Sequence, residues 1–203
     1  MIYKYSNNIN FYPWVGELYE KDNIFNSKIL ILGESHYSDV GNPEMDKNLT
    51  ISLTESYMKG EWRHKFWTNI SQVLMNKEYW NLNLKEIWSS LAFYNYVQNF
   101  VIGGARIAPE QNLWKISINP FFEVLKLLNP DGVLVLGKRL WSNLPEEHFI
   151  KLDFKIVENY DFGFYRIENK KIPFACIRHP SSGFNYRKWS PVFIKLLELS
   201  KNQ

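Results

Sequence analysis

The run Lys28-Ile29-Leu30-Ile31-Leu32-Gly33, followed by Glu34-Ser35-His36-Tyr37, decides how this chain folds. Its four consecutive branched apolar residues are typical of a strand buried on both faces, as in a parallel sheet. A glycine ends the run, and polar residues follow at once. In open α/β sheets, ligands bind beyond the carboxyl ends of the strands. The segment therefore predicts a buried strand with a polar site at its carboxyl end.

The rest of the chain repeats this alternation of strand and helix. Three more apolar runs are predicted strands: Ile87–Tyr94, Gly132–Gly137 and Ile172–Ile177. Helical spacing of apolar residues marks Thr68–Leu74, Asn119–Leu128 and Pro191–Leu199. The order predicts an α/β fold, a three-layer α/β/α sandwich with a central, mainly four-stranded parallel sheet. We expect one domain over residues 1–203, with residues 38–60 as a mobile loop over the site.

Composition narrows the class of protein. With 203 residues and 45% hydrophobic content, the chain is long enough to bury a core. It contains no apolar run of the roughly 20 residues that cross a bilayer, and its start does not resemble a signal peptide. Cys176 is the only cysteine, which excludes an intrachain disulfide and a cysteine-rich metal site. We expect a cytoplasmic protein with no cofactor, no metal and no membrane contact.

Charge is distributed unevenly along the chain. The formal net charge of +3 does not by itself indicate a nucleic-acid partner. Residues 178–203, however, hold five basic residues against one acidic residue. This basic end coincides with the loop after the last predicted strand. Contact with a phosphate backbone and a solvated helix face explain it equally well, so both interpretations stay open.

Polar residues follow three of the predicted strands. They are Glu34–Tyr37 after the first strand, Asn95-Tyr96 after the second and Arg178-His179-Pro180-Ser181-Ser182-Gly183 after the last. Histidine is suited to proton transfer or hydrogen bonding to an anion because its pKa lies near neutrality. Since parallel strands present their carboxyl ends at one edge, we expect these three segments to meet.

Together these segments resemble the uracil-DNA glycosylase superfamily. The residues Ile31–Tyr37 are similar to its first motif, and Ser90–Val97 to the strand whose terminal Asn reads a flipped base. Further similarities are Ala105–Glu110 with the arm that follows, Val133–Lys138 with the third core strand, and Ala175–Ser181 with the final motif. The resemblance extends over residues 28–200, and its specific content lies in these motifs.

The resemblance implies a monofunctional DNA glycosylase, which hydrolyses the N-glycosidic bond of a deaminated or modified base flipped from DNA. His179 would stabilise the departing base. The most active members carry Asp-Pro-Tyr-His after the motif glycine, and Ser35 stands at the position of that aspartate. Glu34 or His36 would therefore orient the attacking water. The pair Gly33-Glu34 is similar to the iron–sulfur families, whose four cysteines this chain lacks.

The resemblance also implies which residues bind the substrate. Asn95 would read the Watson–Crick edge of the base, because its amide offers both a donor and an acceptor. Phe66, or its neighbour Trp67, would stack on the base, and Tyr37 would exclude a thymine methyl. DNA contacts would come from Ser35, Lys138, Ser181, Ser182, Phe184, Tyr186 and Arg187. The implied partner is DNA containing a damaged or modified base, bound by a monomer.

Two alternatives keep the same fold. The first is a glycosylase for hypermodified phage bases in defence, which the long segment Ser38–Gly60 and the altered first motif favour. The second is a catalytically inactive nucleic-acid or protein-binding module that retains only the scaffold. Base release distinguishes an enzyme from a module, and the modification carried by the DNA distinguishes the two enzymes.

Overall fold

The secondary structure follows the predicted alternation. The computed structural model describes residues 3–104, 107–147, 149–151 and 160–201. The strands in these ranges are β1 (Trp14–Val15), β2 (Ile29–Gly33), β3 (Tyr37–Ser38), β4 (Leu91–Asn95), β5 (Val101–Ile102), β6 (Gly132–Leu136), β7 (Phe149–Lys151), β8 (Asp161–Ile167) and β9 (Lys170–Ile177). The helices are α1 (Leu49–Met58), α2 (Lys65–Met75), α3 (Leu84–Ser89), α4 (Gln111–Ile116), α5 (Ile118–Leu128), α6 (Lys138–Ser142) and α7 (Tyr186–Ser200), with a 3-10 turn at Tyr79–Asn81.

The described strands form a seven-stranded sheet in the order β1-β4-β2-β6-β9-β8-β7. Its centre, β4-β2-β6-β9, is parallel throughout. Strand β1 pairs antiparallel with β4 at one edge, and β8 and β7 extend the other edge in antiparallel fashion. A separate parallel pair joins β3 to β5. The predicted α/β fold and its four parallel strands are confirmed, and the sheet is larger than expected because antiparallel strands continue it on both sides.

Helices cover both faces of the sheet. Successive side chains of a strand point to opposite faces. Leu30 and Leu32 of β2 pack in the cluster that contains the apolar face of α5, whereas Ile29 and Ile31 pack with α2 and α7. The sheet is therefore the middle layer of an α/β/α sandwich, and β2, at its centre, is wholly buried.

The start of the second predicted strand is wrong, because residues 87–89 belong to helix α3. Asn83 caps that helix: its side-chain oxygen accepts a hydrogen bond from the Glu86 amide at 3.2 Å. Ile87 and Trp88 then pack into the core from the helix, so their apolar character reflects burial rather than extended backbone. The strand itself begins at Leu91, opposite Ile29 of β2.

The expectation of a loop over residues 38–60 is also wrong in part, because residues 49–58 form α1. Thr50, Thr54 and Tyr57 of this helix are buried, and the Tyr57 ring packs against Trp67 with centroids 5.7 Å apart. The hydroxyl of Thr54 donates to the Thr50 carbonyl, which satisfies a polar group inside the core. Within the described ranges no helix is both long and apolar enough to cross a membrane.

Candidate functional site

The three predicted segments meet at the carboxyl edge of the parallel strands. Gly33 at the end of β2 lies opposite Asn95 at the end of β4. The backbone amide of Val97 donates to the Glu34 carbonyl at 2.8 Å, which ties the two loops together. On the other side, the Gly137 amide donates to the Ile177 carbonyl at 2.9 Å, two residues before His179. Parallel register thus brings Glu34, Asn95 and His179 to one edge.

A continuous row of contacting side chains connects Asn95 to His179. Asn95 and Phe93 are two residues apart on β4 and therefore share a face. Phe93 contacts the Phe66 ring, with centroids 6.3 Å apart, and Phe66 lies 5.3 Å from the His179 ring at an angle of 35°. A methyl group at Gly33 would come within 2.2 Å of Asn95 Oδ1, so this position leaves no room for a side chain. Phe66 thus lies beside the imidazole of His179.

The surroundings of His179 determine its protonation state. Its Nδ1 lies 2.7 Å from the Ser181 hydroxyl oxygen and accepts a hydrogen bond from the Ser181 backbone amide at 3.3 Å. Because an amide N–H only donates, Nδ1 is an acceptor and the ring proton is on Nε2. Burial lowers the pKa of His179, and the charge of Arg139 lowers it further, while Glu34 raises it. The ring is therefore a neutral imidazole with an Nε2–H donor.

Neighbouring elements hold the backbone around His179. The Asn69 side chain of α2 donates to the Pro180 carbonyl at 2.6 Å, and the Ser182 hydroxyl donates to the His179 carbonyl at 3.0 Å. Gly137 has a φ of +116°, and a Cβ there would lie 3.3 Å from the His179 Cβ. Glycine at this turn permits both the left-handed backbone and the close approach to His179.

Glu34 is buried, with 6% of its surface exposed, and its carboxylate is paired with Arg139. Arg139 Nε donates to Oε2 at 2.8 Å, and Nη2 donates to Oε1. The Tyr37 hydroxyl also donates to Oε1, at 3.2 Å. Hydrogen bonding to Glu34 raises the pKa of Arg139. The two charges neutralise each other at the centre of the site edge.

Arg139 is a site residue that sequence reasoning missed. It lies in the first turn of α6, two residues after Gly137, and its Nη2 is 3.4 Å from the Ile107 carbonyl. The available signal was a cation placed just after a strand-ending glycine, at the edge where the other polar segments lie. Ile107 belongs to the predicted arm Ala105–Glu110, of which residues 105 and 106 lie outside the described ranges.

His36 is 8% exposed and faces Asn95. Its Nε2 lies 3.1 Å from Asn95 Nδ2 and 2.9 Å from the Thr50 hydroxyl oxygen. The Phe11 ring packs edge-on at 4.7 Å between centroids. Burial lowers the pKa of His36 to about 4, so this imidazole is neutral at physiological pH. Thr50 is a second missed residue, because it lies in the segment expected to be a loop.

The predicted DNA-binding residues differ in their surroundings. Ser181 and Ser182 are exposed beside His179, whereas the Ser35 hydroxyl oxygen is buried. Lys138 pairs with Asp161, and the Phe184 ring stacks on Trp189 with centroids 6.4 Å apart. Tyr186 and Arg187 both bind the Glu78 carboxylate, at 3.0 and 2.6 Å. Lys138 and Arg187 remain largely exposed, so their charges face solvent despite these pairs.

A cavity of the described chain lies away from this edge. A cavity of about 920 Å³ lies between the N-terminal segment and α1, lined by Tyr3, Trp14 and Met58 among others, and includes none of the predicted site residues. The described residues contain no group of three or more His, Cys, Asp or Glu side chains arranged to hold a metal ion.

Comparison with protein-family models gives no match, and comparison with curated proteins gives no significant match.

Proposed function

We propose that the protein is a monofunctional DNA glycosylase that removes a deaminated or modified base flipped from DNA. The observation that supports it best is that His179 and Asn95 lie at the two ends of a row of aromatic side chains. His179 offers an Nε2–H donor, Asn95 offers its amide, and Phe66 and Phe93 lie between them. Donors for a base oxygen, an amide for its edge and a ring for its face are what extraction of a base requires.

In the proposed reaction, the bond between the sugar C1′ and the base nitrogen breaks and its electron pair moves onto the base. The sugar acquires oxocarbenium character, and water adds to C1′ and loses a proton. His179 Nε2–H donates a hydrogen bond to the base oxygen on which negative charge develops. Because burial lowers its pKa, the imidazole acts as a neutral donor rather than as an acid.

Recognition of the base is assigned to Asn95, Phe66 and Tyr37. Asn95 would contact the Watson–Crick edge, and Phe66 would cover one face of the ring. Tyr37, held by its bond to Glu34, would limit the space near that edge. Stacking on Phe66 and hydrogen bonding to Asn95 would then offset the loss of base stacking in DNA, which amounts to a few kcal/mol.

Glu34 and His36 are the candidates for orienting water, and both already have protein partners. Glu34 is paired with Arg139, and His36 Nε2 is occupied by Asn95 and Thr50. In the proposed mechanism the rate therefore depends mainly on stabilisation of the departing base by His179. This arrangement favours substrates whose base leaves readily as an anion.

Exposed groups around the imidazole would bind the DNA backbone. Ser181 and Ser182 offer hydroxyl donors, and Lys138 and Arg187 supply positive charge. Phe184 or Tyr186 would fill the space that the flipped base leaves. We further propose that the protein acts in the cytoplasm as a monomer.

The test is base release from a panel of single- and double-stranded oligonucleotides that carry uracil, hypoxanthine or modified cytosines, measured by mass spectrometry. We expect at least one free base together with an abasic site, and loss of both with His179→Ala. Release of no base from any member of the panel would contradict the proposal.

The departure at the first motif supports a second candidate, a glycosylase for hypermodified phage bases. Ser35 replaces the aspartate of the motif, and helix α1 supplies Thr50 as a partner of His36, beside the residue proposed to read the base. Activity on glucosylated phage DNA, with no activity on the unmodified counterpart, would favour this candidate over a repair enzyme.

The internal partners of Glu34 and His36 favour a third candidate, an inactive binding module. Such a protein has no need of a group that activates water. It would bind DNA with strong salt dependence, release no base and be indifferent to His179→Ala. Salt-dependent binding combined with base release excludes it.

A further inference from the structure

We infer that His36 is a positioning residue that fixes the orientation of the Asn95 carboxamide, with the amide nitrogen toward the imidazole and the carbonyl oxygen left for a ligand. The inference concerns the orientation of the amide and therefore holds for any ligand. Its consequence for base choice rests on the proposed function. The sequence predicts that His36 or Glu34 orients water, and the structure shows in addition that His36 lies beside Asn95, the residue proposed to read the base.

With the Asn95 amide nitrogen facing the imidazole, as the structure has it, hydrogen-bond chemistry permits one tautomer of His36. Asn95 Nδ2 lies 3.1 Å from His36 Nε2. An amide nitrogen donates and does not accept, so Nε2 must be unprotonated and the imidazole proton must be on Nδ1. The Thr50 hydroxyl, 2.9 Å from the same Nε2, can then only donate to it, so the two donors share the single lone pair of Nε2. The reverse tautomer would place two N–H groups against each other and would favour rotation of the amide by 180°.

The surroundings make this arrangement rigid. His36 and Asn95 are 8% and 5% exposed, and Thr50 is fully buried. The Gln98 side chain donates to the Asn95 carbonyl at 2.7 Å and holds the backbone of the residue. Leaving a buried amide group without its partner is costly. The hydrogen bond to His36 thus stabilises one orientation of the Asn95 amide.

Gly33 fixes the other side of the amide. The Asn95 Oδ1 atom lies over this glycine, where a Cβ would come within 2.2 Å of it. Among the described residues no side chain or backbone amide donates to Oδ1, and the atom is not fully enclosed. The amide oxygen is therefore the acceptor that Asn95 offers to an incoming molecule.

An acceptor at this position selects ligands that bring a donor. Keto bases such as uracil and hypoxanthine carry a ring N–H at the Watson–Crick edge, where cytosine and adenine carry an unprotonated ring nitrogen. A site that hydrogen-bonds a substrate N–H discriminates strongly against an analogue that lacks it. We therefore expect preference for keto bases, and we expect that preference to depend on His36.

The first experiment measures the orientation directly by ¹⁵N NMR of the full chain. We expect His36 to carry its proton on Nδ1, with Nε2 unprotonated, and the Asn95 side-chain amide protons to exchange slowly with solvent. His36→Phe should accelerate that exchange, and His36→Gln, whose carbonyl can accept from Asn95, should restore part of the protection. A proton on Nε2, or exchange that is insensitive to His36→Phe, would overturn the inference.

The second experiment measures the ratio of kcat/KM for uracil and cytosine release. His36→Phe should reduce the ratio about tenfold, equivalent to loss of one hydrogen bond's worth of discrimination, and His36→Gln should recover part of it. A purely structural role would lower both rates together and leave the ratio unchanged, which contradicts the inference. If the wild-type protein releases no base, the proposed function fails, and the NMR experiment still decides the orientation.

Discussion

Two regions of the site use polar residues in opposite ways. One is the buried wall, formed by Glu34, His36 and Asn95, and the other is the exposed loop, residues His179–Asn185. Each member of the buried wall bonds to a partner from a distant part of the chain, such as Arg139 or Thr50. The first half of the exposed loop bonds mainly within itself, through Ser181 and Ser182. Buried polar groups keep one orientation because losing a partner is costly, whereas exposed groups can rearrange around a macromolecule. In the proposed function, the wall would supply selectivity, and the loop would supply the chemistry and the DNA contact.

The largest effect should come from the loop. His179→Ala is expected to reduce kcat for base release by about 10²–10³-fold, the usual cost of removing one donor to a developing anion. The melting temperature should change little, because the ring's Nδ1 bonds to Ser181 alone among the described residues. Single-turnover kinetics and thermal unfolding measure the two effects. A large fall in the melting temperature alongside the fall in kcat would contradict the proposed difference between loop and wall.

The next effect concerns acid stability of the wall. Burial lowers the pKa of His36 from 6.5 to about 4, so the unfolded chain takes up this proton before the folded one. The folded state therefore loses about 3 kcal/mol relative to the unfolded state as the pH falls from about 6.5 to about 4, and loses nothing from this group above that range. Urea unfolding of wild type and His36→Phe across this range should show a difference that grows toward low pH. A constant difference would contradict the burial argument.

The Glu34–Arg139 pair should contribute a smaller but measurable stability. Arg139→Ala leaves a buried carboxylate without its cation, and we expect a loss of about 2 kcal/mol, because Arg139 is itself partly exposed. A matched control is Lys195→Ala, which breaks the exposed pair with Glu198 and should cost less than about 0.5 kcal/mol. Chemical denaturation measures both. Similar values for the two variants would show that the wall is no more tightly held than the surface.

The smallest effect on stability is expected at Arg187, and here DNA binding is the informative readout. Its ion pair with Glu78 is largely exposed, so Arg187→Ala should change the free energy of unfolding by less than about 0.5 kcal/mol. If the arginine contacts a phosphate, the slope of log K against log salt should fall by about one. Titrations at several salt concentrations test this, and an unchanged slope would remove Arg187 from the DNA contact.

Much of the fold was predictable from local patterns. Consecutive branched apolar residues identified β2 and β6 almost to their ends, because such runs are stable only when both faces of a strand are covered. The misassigned start of β4 shows the limit of this signal. Ile87 and Trp88 are equally apolar, but a capping Asn83 makes them helical, and a short apolar run does not by itself distinguish the two states. Strand β8, which borders β9, was missed altogether.

For the candidate site, too, one part was predictable from sequence and another was not. Its location followed from sequence, since Glu34, Asn95 and His179 each lie within two residues of the carboxyl end of a parallel strand, and register brings those ends together. The partners of these residues did not follow. Arg139 reaches Glu34 across 105 positions and His36 reaches Asn95 across 59, and no local pattern encodes such pairs.

The sequence alone determined the class of fold, the parallel core and the edge at which polar groups gather, because these depend on hydrophobic periodicity and on chain order. Only the tertiary structure decided which groups face the ring nitrogens of His36 and His179, which cation neutralises Glu34 and which way the Asn95 amide faces. Those properties depend on neighbours within about 3 Å, and the neighbours come from elements far apart in the chain. The run that begins at Lys28 thus predicts where a site lies, and packing determines what the site can do.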